Sequence, residues 1–204
     1  MRGLTEYRRP TQENMRDRTL HTLTIPAAQF EAEVEGILRR IGIGLADFKV
    51  QRLEKIHATD GIYEIDVTAR FKALGDMLVL IECKHHKNPI KREVVQVLYD
   101  KLRAIGAQKG MIFSTVRFQK GAIEFAQAHG IALVLVADGG TTYITRSAAA
   151  GIMDNRDAPP YVAWLVRLND GGEQTLHVIL DDDESLRQAL NRKLASESLR
   201  PPSK

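Results

Sequence analysis

The hydrophobic positions change period several times along the chain, and each change marks an element. Phe30, Val34, Ile37, Leu38 and Ile41 recur at the three- and four-residue spacing of one helix face. Pro26 stands before them, where a missing N–H costs nothing, and Gly42 and Gly44 stop the run. Residues 48–57 alternate loosely, as a strand does. Two runs rich in β-branched and large apolar residues follow, 62–67 and 77–84, separated by the turn signal Gly75-Asp76. They are predicted to pair as antiparallel strands. Asn88 as N-cap and Pro89 as first helical residue predict a second helix, apolar along Ile90, Val94, Leu98, Leu102 and Ile105. Residues 109–114 then read as a strand, 117–129 as a helix with Ile123 and Phe125 inward, and 131–136 as a strand. Strand, helix, strand demands a crossover and parallel pairing, so the sheet of this α/β chain is expected to be mixed, antiparallel in front and parallel behind.

The ends follow different patterns. Residues 1–25 form a basic arm, with residues 20–25 as a possible short edge strand. A disordered arm and one that contacts DNA or clasps a subunit are equally consistent with its composition. Gly139-Gly140 turns into a possible edge strand at 141–145, and the turn-rich residues 154–160 read as a linker. Residues 161–168 and 174–180 flank Asn169-Asp170-Gly171-Gly172, a hairpin signal, and 185–194 repeat at helical spacing after an acidic start. The expected organisation is therefore an N-terminal arm over 1–25, a main domain over 26–150, and a C-terminal hairpin plus helix over 151–204. At 204 residues the chain can bury a substantial core.

The chemistry concentrates in the paired runs. The period of two sends Glu82 and Lys84 to one face, and Asp66 can lie opposite them. Two carboxylates and a lysine ending an apolar strand pair are expensive to desolvate unless they pair or hold a cation. Carboxylates on rigid strands suit Mg²⁺, with Mn²⁺ able to substitute, and Lys84 could orient or deprotonate an attacking water. A buried ion pair of Lys84 with one carboxylate is the plainer alternative, and it leaves the second carboxylate unexplained.

Charge sharpens this picture. The net formal charge is +3, yet from Lys84 to Lys120 nine lysines and arginines face only Glu93 and Asp100. A positive stretch adjoining a carboxylate site suits a polyanion, although a solvated face would look the same. Lys87, Lys91, Arg92 and Arg117 are candidate phosphate contacts. Arg92, Gln96 and Arg103 share an arc of the second helix opposite its apolar side, where Gln96 could bind a phosphate or a water beside the metal. Ser114 and Thr115, between strand and helix, could hold a phosphate or simply cap. His57, His85 and His86 lack metal-ligand spacing and read as turn or surface residues, with phosphate contact open to the last two. On the first helix Glu31 and Glu33 border the apolar stripe and Glu35 lies farther out, and geometry alone does not choose between the first two.

Asp66 followed after a hairpin by Glu82-Cys83-Lys84 resembles the D…(E/Q)xK core of the restriction endonuclease-like nucleases, especially the Mrr-type restriction endonuclease domain. The likeness extends to Phe30-Glu31, to Gly110-Met111-Ile112-Phe113-Ser114-Thr115, and to Phe118 with Gly121-Ala122-Ile123-Glu124-Phe125-Ala126, about residues 26–136 in all. Thr59-Asp60-Gly61 lies farther upstream of Asp66 than many relatives' Asp-Gly-Gly, which leaves Asp60 and Glu64 as auxiliary acids. The resemblance implies a three-layer α/β/α fold with a mixed central sheet. It also implies Asp66, Glu82 and the Cys83 carbonyl as metal ligands, Lys84 as the residue serving the nucleophile, and Glu31 as the first-helix acid.

The expectation is thus an Mg²⁺-dependent DNA endonuclease of Mrr-like restriction or defence type, working as a homodimer. A catalytically silent nucleic-acid-binding module and an assembly protein with an acidic partner are the alternatives. Cys83 is the single cysteine, which fits a reducing cytoplasm, and no apolar stretch suggests a leader or membrane span. A Gly-x-x-x-x-Gly-Lys phosphate loop is absent, so no nucleotide cofactor is expected.

Overall fold

A computed structural model describes residues 23–42, 44–138 and 161–179. Helix α1 spans Ala27–Ile41 and is followed by strands β1 (Ala46–Ala58), β2 (Gly61–Lys72) and β3 (Asp76–Lys84). Helix α2 (Arg92–Ile105), β4 (Lys109–Ser114), α3 (Lys120–Ala128) and β5 (Ala132–Asp138) come next, and β6 (Tyr161–Leu168) and β7 (Gln174–Ile179) close the described chain. Residues 1–22 of the arm expected at 1–25, the strand at 141–145, the linker at 154–160 and the helix at 185–194 lie outside the described residues. Of the edge strand expected at 20–25, the described residues 23–25 are not strand, although Leu23 is buried.

All seven described strands form one mixed sheet, in sequence order across it. The pairings β3–β4 and β4–β5 are parallel and the other four antiparallel. Two apolar clusters make the core, one on each face. Phe30, Val34 and Leu38 of α1 pack with Val67, Val79, Ile81, Met111 and Phe113. Val95, Leu98 and Leu102 of α2 and Ala122 and Ile123 of α3 pack with Leu80, Ile112 and Leu133. The alternation 79, 81 against 80 and 111, 113 against 112 is the period of two placing successive side chains in opposite layers. Helices therefore cover both faces, giving the three-layer α/β/α arrangement. Gly110 sets the spacing of α2, because a Cβ there would stand 2.7 Å from Leu102 Cδ1.

The second helix starts later than expected. Ile90 bridges in parallel to Phe118, with Ile90 N–H donating to Arg117 O and Gln119 N–H to Ile90 O, both at 2.9 Å. That bridge holds the chain extended past Asn88 and Pro89, so Lys91 is the N-cap and Arg92 the first helical residue. The same bridge delays α3 to Lys120. The C-terminal hairpin joins the core: β6 pairs with β5 and extends the central sheet.

The long β1–β2 hairpin rolls over at Leu53 and Asp66. Pairing runs from Lys49↔Arg70 to Arg52↔Val67 and resumes at Glu54↔Ile65, omitting Leu53 and Asp66 between them. Leu53 has φ +50°, a left-handed conformation unusual for a bulky residue. As a result Val67 faces the α1 layer and Ile65, two residues away, faces the α2 layer.

Candidate active site

Asp66 sits on this roll, and its side chain is used between strands. β2–β3 pairing ends at Val67↔Ile81, and beyond it Cys83 N–H donates to Asp66 Oδ2 at 2.7 Å in place of a main-chain acceptor. Glu82 points into the α2 layer with its side chain 7% exposed. Lys84 Nζ donates to Glu82 Oε2 at 2.7 Å, and Lys101 Nζ, from α2, donates to Oε1 at 2.5 Å. Phe30 is buried with its ring edge-on to His85 at 6.2 Å, which brings the start of α1 and Glu31 to this end of the sheet.

The electrostatics follow from burial and neighbours. Burial raises the Asp66 pKa most, the Cys83 N–H lowers it, the Glu82 charge raises it again, and the net shift is upward. Glu31 is likewise pushed up, by burial first and then by the Asp66 charge. Burial also acts to raise Glu82, but Lys84 and Lys101 outweigh it and hold this carboxyl below the ordinary range. Lys84 is raised, because Glu82 overcomes the opposing effect of burial. The Cys83 thiol is pushed up by its burial and by the surrounding carboxylates, so the thiolate is not available there.

The three first-helix acids separate clearly. Glu31 interacts with the charges of Asp66 and Lys84, Glu33 bonds Tyr161, and Glu35 pairs with Arg39 at 2.6 Å and Arg52 at 2.9 Å. Asp60 accepts from Tyr63 Oη at 2.8 Å, and Glu64 lies 3.8 Å from Lys55 on an exposed strand.

The candidate nucleic-acid contacts are distributed less evenly. Lys87, Lys91, Arg92 and Arg117 are exposed, and Gln96 is half-buried. The Arg92 guanidinium lies over the Phe125 ring at 5.0 Å and that of Arg103 over Tyr99 at 6.0 Å. Eleven residues separate these arginines on α2, about 16 Å of helix. Arg92 opens the helix beside Lys91, and Arg103 stands two residues past Lys101, whose Nζ reaches Glu82. Ser114 is a correction: it is fully buried, its hydroxyl donates to Val116 O and accepts from Val116 N–H, and α3 begins six residues later. It presents nothing to a phosphate. Thr115 Oγ1 is buried and has no hydrogen-bond partner among the described residues.

The donor set at Asp66, Glu82 and the Cys83 carbonyl is all hard oxygen, as Mg²⁺ requires. Burial first, and a neighbouring carboxylate second, make the charged forms of Asp66 and Glu31 costly, and a cation beside them would offset that cost. Among the described residues no group of three His, Cys, Asp or Glu residues stands assembled for a metal. Two carboxylates suffice for Mg²⁺, which keeps several waters.

The Mrr catalytic-domain family model, described as restriction endonuclease, matches residues 22–139. This chain belongs to that family. The match covers α1 to β5 and thus every residue of the site. Among solved structures, a protein of unknown function, AF1548, is similar at 24% identity and TM-score 0.44, over 52% of this chain and 56% of that one. The DNA modification-dependent restriction endonuclease AspBHI is similar at 14% identity and TM-score 0.33, over 69% of this chain and 41% of that one. The chain thus covers little more than half of the first protein and well under half of the second. No curated protein matches it. As a family member the chain carries a domain of the restriction endonuclease type over residues 22–139, and no described helix is long and apolar enough to cross a membrane.

Sequence reasoning missed Lys101 as a site residue. Its signal was present: at about 100° per residue Lys101 falls inside the stripe drawn by Ile90, Val94, Leu98 and Ile105. A charge inside an apolar stripe asks for a buried partner, and Glu82 is that partner.

Proposed function

We propose that the chain is an Mg²⁺-dependent endonuclease that hydrolyses phosphodiester bonds in DNA, of restriction or defence type. The observation that carries this reading is the meeting of Asp66, Glu82 and Lys84 where β2 and β3 part, with Lys84 Nζ 2.7 Å from Glu82 Oε2. Asp66, Glu82 and the Cys83 carbonyl would hold the metal, which would supply Lewis-acid activation of the phosphate. Lys84 orients the attacking water, whose oxygen bonds to phosphorus as the bond to the leaving strand breaks. Glu31, an acid with a raised pKa at the edge of the site, can take up the proton. Exposed Lys87, Lys91, Arg92 and Arg117 line the approach for the DNA backbone. Cutting both strands needs two opposed sites, so the active form is a homodimer, with the β6–β7 hairpin at the interface and the cytoplasm as its place of action.

The double pairing of Glu82 with two lysines supports a second reading, a catalytically silent DNA-binding module whose carboxylate only anchors lysines. Plasmid nicking separates the two. Wild type should nick with Mg²⁺ or Mn²⁺ and not with chelator, and Glu82→Gln should not nick at all. A wild-type protein that retains DNA on a gel and never nicks supports the silent module.

A further inference from the structure

We propose that Lys101 is the resident counter-ion of Glu82 that a divalent cation must displace, and that it makes metal binding depend on DNA binding. This rests on the reading of Glu82 as a metal ligand. Lys84 is two residues from Glu82 on the same strand, so their pair is local. Lys101 is different: it comes from α2, nineteen residues on, and reaches across the helix–sheet interface to the remaining oxygen. Both Glu82 oxygens are thereby held by ammonium groups, at 2.7 and 2.5 Å. A cation approaching either oxygen meets a like charge at contact range, in a partly buried setting where solvent screens poorly.

One ammonium must therefore withdraw, and the surroundings favour Lys101. Its Nζ already lies 3.4 Å from Glu64 O, a long contact that offers a second resting place. The flexible four-carbon stem of a lysine makes such a move inexpensive. Among the described residues no other carboxylate is within salt-bridge distance of Lys101, so once released its charge is available to a phosphate oxygen. DNA at the site would give the displaced ammonium a partner and so favour metal binding, and by reciprocity metal would favour DNA.

The test is Mn²⁺ titration followed by electron paramagnetic resonance, on wild type, Lys101→Met, Lys101→Arg and Glu82→Gln, without DNA. Lys101→Met should bind Mn²⁺ at least about fivefold tighter than wild type, having lost one repelling charge. Lys101→Arg, which keeps the charge, should bind within about twofold of wild type. In chelator Lys101→Met should melt below wild type, and Mn²⁺ should raise its Tm by more than it raises that of wild type. If Lys101→Met does not fold, Lys101→Gln carries the same expectations, since its amide still donates to Glu82. Lys101→Met binding Mn²⁺ no tighter than wild type, while Glu82→Gln has lost it, would overturn the inference and leave the metal site standing. Glu82→Gln binding Mn²⁺ like wild type would instead overturn the metal-ligand reading beneath it.

Discussion

Asp66 Oδ2 accepts the Cys83 N–H at 2.7 Å just beyond the last β2–β3 pair, so a side chain completes the ladder where the main chain stops. The two strands can part there without stranding a buried donor. This gives Asp66 two separable jobs: a hydrogen-bond acceptor for β3, and a negative charge for the site.

Substitution should separate them. Asp66→Asn keeps an acceptor oxygen for Cys83 and should hold the melting temperature within a few degrees, while Mn²⁺ affinity and cleavage are lost. Asp66→Ala removes both and should cost a further 1–3 kcal/mol or so, the usual penalty for a buried donor left without a partner. Thermal melts with a Mn²⁺ titration on both variants check this. Equal loss of stability in the two would show that the charge, and not the acceptor, holds β3.

Much of this was legible in the sequence. The order of elements, the strands Lys109–Ser114 and Tyr161–Leu168, and the closeness of Asp66, Glu82 and Lys84 all follow from hydrophobic period and turn signals. What was not legible depends on contacts distant in sequence. Alternation puts Asp66 on one face with Glu82, but the roll at Leu53 turns its side chain toward β3, and nothing local to Leu53 announces a left-handed residue. Asn88-Pro89 is a good helix start by local chemistry, yet the Ile90–Phe118 bridge overrides it. Lys101 was readable from its place in the apolar stripe, although its partner Glu82 was not.

The two arginines of α2 should contribute unequally to DNA binding. Arg92 continues the exposed basic run of Lys87 and Lys91 at the start of α2, whereas Arg103 lies about 16 Å farther along the helix without such neighbours in sequence, and each rests on an aromatic ring. Arg92→Gln should weaken binding on all sequences alike and lower the salt slope by roughly one unit, and Arg103→Gln should change it by much less. Binding isotherms over a range of salt concentrations decide this. Equal slopes for both variants and wild type would remove α2 from the DNA interface.

Away from the site, Glu54 ties β1 to β2 and should make stability depend on pH. Thr68 Oγ1 donates to Glu54 Oε2 at 2.5 Å, and Arg70 donates to both carboxylate oxygens at 2.6 and 2.7 Å. Burial acts to raise Glu54, but the bonds from Arg70 and Thr68 prevail and its pKa lies below the ordinary value. A carboxylate lowered on folding stabilises above its unfolded pKa, and that contribution disappears as pH falls through the folded pKa. Glu54→Gln should therefore melt lower than wild type at pH 7, by about 1 kcal/mol, and the gap should close as pH falls below about 4. Asp66 and Glu31 have the opposite sign: raised on folding, they stabilise in acid and lose that contribution as pH rises through their folded pKa values. Taking the difference between Glu54→Gln and wild type removes their effect. A gap that persists unchanged into acid would contradict the assignment.

If the active form is a dimer, the edge strand β7 is where a second copy would join. It is the last described strand of the sheet, and among the described residues it pairs on one side only, with β6. An unpaired row of main-chain groups is a template for another strand. Sedimentation should give twice the monomer mass at working concentration, and a proline at Thr175 should reduce it to the monomer. A monomer with and without DNA would reject both the dimer and this interface.

Lys84 tests whether the site does chemistry or only holds an ion pair. Were Lys84 and Glu82 a structural pair, removing the lysine would strand a buried carboxylate and cost about 3–5 kcal/mol. Lys101 changes that expectation, because it still holds Glu82 Oε1 when Lys84 is gone. Lys84→Ala should therefore fold, with a loss of about 1–2 kcal/mol for one charged hydrogen bond of a pair that keeps its second partner. Mn²⁺ affinity should stay the same or rise, since a positive charge beside the cation has gone and no ligand has. Cleavage should fall by a factor of at least about a hundred, the ordinary contribution of a group that positions or activates the nucleophile. The double variant Lys84→Ala with Lys101→Met removes both partners and should show the full stability loss in chelator, recovered in part by Mn²⁺. Melting temperature, Mn²⁺ affinity and plasmid cleavage on the same preparations distinguish these outcomes. A well-folded Lys84→Ala that still cuts DNA at the wild-type rate would remove Lys84 from the mechanism.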